Sequence, residues 1–184
     1  MEYKLRTYPL FAACGLNCGL CPRYHTVGPS RCPGCAGEGF SEAHPPCGIL
    51  SCCERRGLEY CFLCEEYPCK KYEGVDETDS FISHKNQFHD MDKAKQMGME
   101  AYGAELNRKV QILEELLQSY DDGRQKGFFC LATNLLDLAD IEAIREKLSN
   151  TPEAEVPLKE KAKRARHLFQ EAADEKGIEL KLRK

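Results

Sequence analysis

The chain has 184 residues and a net charge of −4, with 26 basic and 30 acidic side chains. Proteins that bind nucleic acid usually carry a basic face, whereas residues 1–75 hold equal numbers of basic and acidic side chains. The charge therefore disfavours nucleic acid as a partner.

Two further features bear on location. No apolar run approaches the ~20 residues that a membrane span needs, and the opening residues lack the basic and apolar stretches of a secretory leader. We therefore expect a cytoplasmic protein with no membrane contact.

The cysteines are concentrated in the first part of the chain. Eleven of the twelve fall between Cys14 and Cys69, and Cys130 stands alone in an apolar stretch. In a reducing compartment such crowding favours metal binding over a disulfide framework. Proline and glycine punctuate the same segment, which predicts loops with too few aliphatic residues to pack a core. We predict a metal-stapled, cysteine-rich metal-binding module over residues 1–75.

Residues 76–184 are predicted to be a helical region. Apolar residues recur at helical spacing, and caps and breaks delimit the helices. Asp79 or Ser80 is available as the first N-cap, Gly98 is expected to end the first helix, and Pro152 and Pro157 mark a break before the last helix. The predicted helices span residues 80–97, 100–120, 127–138, 140–148 (with Asp140 as N-cap) and 158–175.

The two ends of the chain carry the alternation that is typical of strands. Residues 178–183 alternate apolar and charged side chains, and residues 3–8 do so less regularly. We predict that the termini pair as a small two-stranded sheet. The predicted fold class is α+β, mainly α, with the loop-rich N-terminal module packed on a helical C-terminal half.

Ten cysteines stand at spacings typical of metal ligands. Two thiolates from one CxxC turn can reach the same ion at about 2.3 Å while backbone N–H groups face the sulfurs. Two of the CxxC units, Cys32–Cys35 and Cys61–Cys64, resemble the knuckles of a zinc ribbon. The candidate ligands are Cys14, Cys18, Cys21, Cys32, Cys35, Cys47, Cys52, Cys61, Cys64 and Cys69.

The grouping of these ligands and the identity of the metal stay open at this point. One scheme joins Cys32, Cys35, Cys61 and Cys64 and leaves Cys14, Cys18, Cys21 and Cys69 for a second site; another keeps Cys32, Cys35, Cys47 and Cys52 together. Thiolates suit both zinc and a [4Fe–4S] cluster. The Cys-Pro-Gly-Cys knuckle favours zinc as the cofactor.

Four other residues could in principle be ligands. Cys53 faces a different way from Cys52 in a helix or a strand, so it is predicted not to be a ligand. Cys130 is predicted to be a core residue, as free cysteine often is. His25 and His44 lie inside the cysteine cluster and are further candidates, although loop histidines more often lie at the surface.

Motifs for catalysis are missing from the sequence. The C-x3-C-x2-C spacing also occurs in radical S-adenosylmethionine enzymes, but those need a partial or full (β/α) barrel, and no alternation of strands and helices is present. No nucleophile elbow, phosphate loop or dinucleotide fingerprint is found. The sequence therefore favours a protein that is not an enzyme.

The ordered cysteines resemble a known family. The run ACGLNCGLCPRY (residues 13–24), the Cys32–Cys35 unit and the series from Cys47 to Cys69, which closes on Tyr67, Pro68 and Cys69, are similar to the cysteine-rich bacterial and archaeal domain-of-unknown-function family numbered 3795. Ala13 stands where that family usually has tyrosine. The similarity extends over residues 83–104. The resemblance implies a metal-binding, zinc-type module and supplies no reaction.

The sequence leaves three hypotheses for the function. The favoured hypothesis is a zinc-binding protein that acts through protein–protein contacts, because closed four-thiolate sites are structural. The alternative is an iron–sulfur redox or electron-transfer accessory protein. The third is an enzyme that uses a metal-bound water, which requires a site with only three protein ligands.

Overall fold

Residues 3–150 and 155–184 are described by a computed structural model, and the chain divides into two compact units. The first unit runs to Leu106 and includes Leu182–Lys184, and the second is Asn107–Lys181. The cysteine-rich residues up to 75 lie inside the first unit, and their folding as a separate domain stays a prediction. Pro152, part of the predicted break, lies outside the described residues.

The described residues are mainly helical, as predicted, and they contain no strand. Three single-turn 3-10 helices, Cys18–Leu20, Cys61–Leu63 and Lys70–Tyr72, punctuate the loops of the first unit. The α-helices are α1 (Phe40–Ala43), α2 (Gly48–Arg55), α3 (Gln87–Met97), α4 (Met99–Ser119), α5 (Lys126–Leu135), α6 (Leu138–Ser149) and α7 (Leu158–Glu175).

The predicted pairing of the two termini is wrong, because each end has other backbone partners. The Arg6 N–H donates to the Ala36 carbonyl at 3.2 Å. At the other end, the Arg183 N–H donates to Asp79 Oδ2 at 2.8 Å, and the Asp79 N–H donates to the Arg183 carbonyl at 3.0 Å. Alternation is a local signal, and these contacts with distant loops override it.

Helix α3 begins later than predicted. Asp79 Oδ1 accepts the N–H of His84 at 2.7 Å, and Asp79 Oδ2 accepts the Ser83 hydroxyl at 3.3 Å. These side-chain bonds hold the segment before Gln87 in turns, because they compete with the helical backbone pattern. The predicted end is confirmed, since the Gly98 N–H closes the helix on the Ala94 carbonyl at 3.1 Å.

The junction between α5 and α6 also lies earlier than predicted. Asp137 adopts an extended conformation and is the N-cap residue of α6, so α5 ends at Leu135. Asp140, the predicted N-cap, lies in the first turn of α6, where a carboxylate is still favoured by the helix dipole. The last helix, α7, has the bounds that the sequence predicted.

Each unit has its own apolar core. In the first unit, the Phe11 ring lies 4.7 Å from Tyr102 and 5.7 Å from Tyr60, between ring centroids. In the second, Phe129 and Phe169 meet edge to face at 5.9 Å. The small residues of α7 at Ala162, Ala165 and Ala173 are fully buried. Cys130 is buried too, which confirms its prediction as a core residue.

Of the helices in the described part of the chain, none combines the length and the apolar content that crossing a membrane requires.

Candidate metal centre

The eleven cysteines between Cys14 and Cys69 all lie in the first unit, and none of them forms a disulfide. Short 3-10 turns, tight glycine turns and helix α2 carry them. The structure arranges these thiols in two groups with different surroundings.

Two CxxC units share one backbone geometry. In each unit the second cysteine donates its N–H to the carbonyl of the first, at 3.1 Å for Cys21 and at 2.9 Å for Cys64. The φ and ψ angles are −80° and 135° at Cys21 and −84° and 135° at Cys64. Both CxxC units are thus tight turns, and the Cys61–Cys64 turn is one of the two units that resemble zinc-ribbon knuckles in the sequence.

The third CxxC unit, Cys32-Pro-Gly-Cys35, is fixed against an earlier loop. The Cys35 N–H donates to the Pro9 carbonyl at 2.8 Å. Gly34 has φ +90°, and a Cβ at this position would lie 2.5 Å from the Pro9 oxygen. Only glycine allows so close an approach with this backbone. The turn leaves Cys32 and Cys35 buried.

The first group, the buried thiol group, consists of Cys14, Cys18, Cys21, Cys32, Cys35 and Cys47. Burial raises the pKa of the Cys18 thiol, and the neighbouring thiols of Cys35, Cys14, Cys21 and Cys32 raise it further. Several thiols thus share a site in which isolated thiolate charges are costly. A divalent cation would offset that cost, because metal binding favours the deprotonated ligand.

Hydrogen-bond donors nevertheless point at these sulfurs. Burial raises the pKa of Cys35, while the charge of Arg6 opposes that rise. The Leu50 N–H donates to Cys47 Sγ at 3.5 Å. The backbone at Leu16, at Arg23 and Tyr24, and at Ala13 acts to lower the pKa of Cys14, Cys21 and Cys35, respectively, against the effect of burial. Such N–H···S bonds orient ligands and stabilise them as thiolates in metal sites.

The second group, the cavity thiol group, consists of Cys52, Cys53, Cys61, Cys64 and Cys69. These five residues line a cavity of about 340 Å³. The lining also carries four cationic side chains and a single carboxylate: Arg55, Arg56, Lys70, Lys71 and Glu66.

One contact in the cavity joins two sulfurs directly. Cys53 Sγ lies 3.4 Å from Cys61 Sγ. The hydrogen bond from Cys53 lowers the pKa of Cys61 to about 7, and Tyr72 and the charge of Lys71 act in the same direction against the effect of burial. The same hydrogen bond, together with burial, raises the pKa of Cys53.

A second polar contact orients Cys64. Arg56 Nη1 donates to Cys64 Sγ at 3.3 Å, and the other end of the guanidinium forms two hydrogen bonds of 2.9 Å with Glu66. The carboxylate therefore fixes the guanidinium that faces the sulfur, as residues around a metal ligand commonly do.

The sequence predicted that Cys53 is not a metal ligand, and the structure places Cys53 in the lining of the cavity. Helix α2 buries Leu50 and Cys53, three residues apart on one face. That spacing of an apolar residue and a cysteine was the available signal. Cys52, which was predicted as a ligand, also lines the cavity and is half-buried.

The ten predicted ligands are brought into one unit, and their grouping into metal sites stays a prediction. Cys32 and Cys35 lie with Cys14 and Cys18 rather than beside Cys64. Across residues 3–150 and 155–184, no three His, Cys, Asp or Glu side chains are placed so as to hold a metal ion. The donor chemistry fits zinc, and the ligand set stays a prediction.

The two loop histidines each use one ring nitrogen on a backbone carbonyl. His25 Nε2 lies 2.8 Å from the Gly19 oxygen, and His44 Nδ1 lies 2.7 Å from the Pro45 oxygen. The His44 ring also stacks on Phe40 at 4.6 Å. These contacts give both rings a role in holding the loops.

Together, the fold and the thiols define a cysteine-rich, mainly helical protein in which eleven of the twelve cysteines lie in one compact unit. Residues 10–74 match the family described as protein of unknown function (DUF3795), which confirms the resemblance over the cysteine-rich segment. No curated protein and no solved structure matches the chain.

Proposed function

We propose that this chain is a zinc-binding protein that holds about two metal ions through thiolates of its first unit and acts through contacts with another protein. The observation that carries the proposal is the gathering of eleven free cysteines in the first unit, where backbone hydrogen-bond donors favour the thiolate forms of Cys14, Cys21 and Cys35 against the effect of burial. A set of structural thiols buried as apolar side chains would need no such donors.

Energetics support the same proposal. The first unit places seven cysteines in or against its core, where thiolates without a counter-charge would be unstable. Zinc bound by thiolates supplies the missing charge and contributes directly to folding, since the ligand site does not exist in the unfolded chain. A loop-rich unit gains the most from such crosslinks.

An iron–sulfur redox protein is the second candidate. The observation that favours it is the cavity lined by the cavity thiol group, which we call the thiol cavity. Its volume of about 340 Å³ is more than a single ion requires. Cysteine ligands serve iron–sulfur clusters as well as zinc. Iron with acid-labile sulfide in the purified protein would support this candidate over zinc.

Exposed apolar side chains support a role in protein contacts. Val27 is 96 % exposed and Leu5 is 65 % exposed, and Phe81 and Leu63 are more than half exposed. All four belong to the first unit. Contiguous apolar patches mark protein contacts, so these four side chains are the candidates from which such a patch would be built.

Serine substitutions test the metal proposal. Cys32→Ser and Cys64→Ser should each reduce the zinc content by about one ion per chain and lower the thermal midpoint of the first unit, because metal binding contributes to folding there. Cys130→Ser, which changes a buried cysteine of the second unit, is the matched control and should keep its zinc. Full zinc content in both Cys32→Ser and Cys64→Ser, measured by elemental analysis, would contradict the proposal.

A further inference from the structure

We infer that Cys53 binds the second metal ion together with Cys61, Cys64 and Cys69, and that its neighbour Cys52 does not. This inference rests on the proposed function and assigns a ligand that the spacing of the motif leaves out. It makes the cavity lined by the cavity thiol group the second metal site of the first unit.

The distance between two sulfurs is the first step. Four thiolates around one zinc ion at about 2.3 Å stand about 3.8 Å apart in tetrahedral geometry. Cys53 Sγ and Cys61 Sγ are 3.4 Å apart. These two sulfurs are therefore already close to the spacing of two ligands on one ion.

Helix α2 supplies the second step. Successive residues of a helix point about 100° apart, so Cys52 and Cys53 cannot approach the same point equally well. Cys53 is 3 % exposed and lies on the buried face with Leu50, whereas Cys52 is only half-buried. The helix thus brings the Cys53 sulfur against Cys61, whereas Cys52, which also lines the cavity, lies about 100° further around the helix.

The third step concerns the placement of the other three ligands, Cys61, Cys64 and Cys69. The Cys61 N–H is bonded to the Ala13 carbonyl at 2.9 Å, which fixes the start of the knuckle. Arg56 orients the sulfur of Cys64. Cys69 lines the same cavity from the next loop. Each cysteine has a single torsion, χ1, that aims its sulfur, and we expect metal binding to turn these donors toward a common ion.

The charge of the cavity lining is an observation independent of the sulfur positions. The cavity lining holds four cationic side chains and one carboxylate, a surplus of positive charge around thiols that are neutral when protonated. Four thiolates on a divalent ion carry a net charge of about −2, which such a lining stabilises. A pair of packed core thiols would not require these cations.

The wild-type full-length chain provides the direct test. Loaded with ¹¹³Cd under reducing, oxygen-free conditions, it would be examined by ¹H–¹¹³Cd correlation NMR, which links each metal to the β-protons of its own cysteines. We expect Cys53 and Cys61 to couple to one cadmium ion and Cys52 to couple to none. Bound cadmium without coupling to Cys53 would overturn this inference and leave the proposed function standing. A folded chain that takes up no cadmium would overturn both.

Two neighbouring variants give a matched second test. Cys53→Ser should lose about one of two zinc ions, and Cys52→Ser should keep both, with far-ultraviolet circular dichroism recorded on each protein. Because a buried serine can destabilise α2, Cys53→Ala is measured beside it and should lose the same ion. Full zinc content in Cys53→Ala, or equal loss in Cys52→Ser, would contradict the assignment.

Discussion

At the scale of single residues, what surrounds each sulfur distinguishes the two thiol groups. In the buried thiol group, burial raises the pKa of Cys14 and of Cys21, and the neighbouring backbone opposes that rise. In the cavity, Cys61 Sγ lies 3.4 Å from Cys53 Sγ, and the side chains of Cys53, Tyr72 and Lys71 lower the pKa of Cys61 against the effect of burial. The first group resembles ligands held by the backbone, and the second relies on side chains.

Asp79 is the residue with the clearest pH dependence. Burial would raise its pKa, but hydrogen bonds from Arg183 and His84 outweigh burial and lower the pKa to about 2. A lowered folded-state pKa stabilises the fold above the unfolded value of about 3.9, and this contribution is lost as the pH falls through about 2.

Asp79→Asn should therefore lower the free energy of unfolding at pH 7 by about 1.5–3 kcal/mol, the contribution of hydrogen bonds to a charged group. The difference from wild type should shrink between about pH 4 and pH 2, where the wild-type carboxylate becomes protonated. Urea unfolding across this range measures it. Asp92→Asn, at an exposed position of α3, is the control, and an Asp79→Asn difference that does not change with pH would contradict the account.

Gly15 permits the turn that follows the first cysteine. Its φ is +90°, and an added Cβ would overlap the Met91 side chain. Gly15→Ala should cost about 1–3 kcal/mol from backbone strain, before any displacement of Met91. Gly48→Ala is the matched control, because its Cβ would meet no atom within 4 Å. Equal thermal midpoints for the two variants would show that the turn tolerates a side chain.

At the scale of elements, long helices were predictable and their junctions were not. Helices α4 and α7 follow from apolar spacing and were predicted to within a residue or two. The starts of α3 and α6 were misplaced. Asp79 accepts the His84 N–H and delays the start of α3, and the extended residue Asp137 is the N-cap position of α6. Apolar spacing reveals neither. The terminal strands failed because strand formation requires a partner, which no local pattern supplies.

The buried stripe of α7 gives a prediction at this scale. Phe169 is fully buried and meets Phe129 edge to face. Phe169→Ala should destabilise the second unit by about 3–5 kcal/mol, through lost transfer energy and the cavity left behind. Urea unfolding followed by circular dichroism measures the loss. Lys163→Ala, at an exposed position of the same helix, should change stability little, and similar losses in both variants would contradict the packing of α7.

At the scale of the whole molecule, the chain combines one unit that holds the cysteine cluster with another that has an apolar core of its own. The sequence predicted the thiol set, because CxxC spacing is local and forms tight turns. The grouping stays a prediction, and the place of Cys53 in the cavity lining was not predicted, because it depends on how α2 packs against the turn that begins at Cys61. The match over residues 10–74 confirms the family resemblance and assigns no reaction.

The most direct measurement is elemental analysis with an absorption spectrum, made on the full chain purified without oxygen and without chelators. The account predicts about two zinc ions per chain and no visible absorbance. Iron with acid-labile sulfide and absorbance near ~400 nm would replace zinc with the iron–sulfur alternative. A folded, fully reduced chain that contains neither metal would contradict the central claim that these thiols form metal sites.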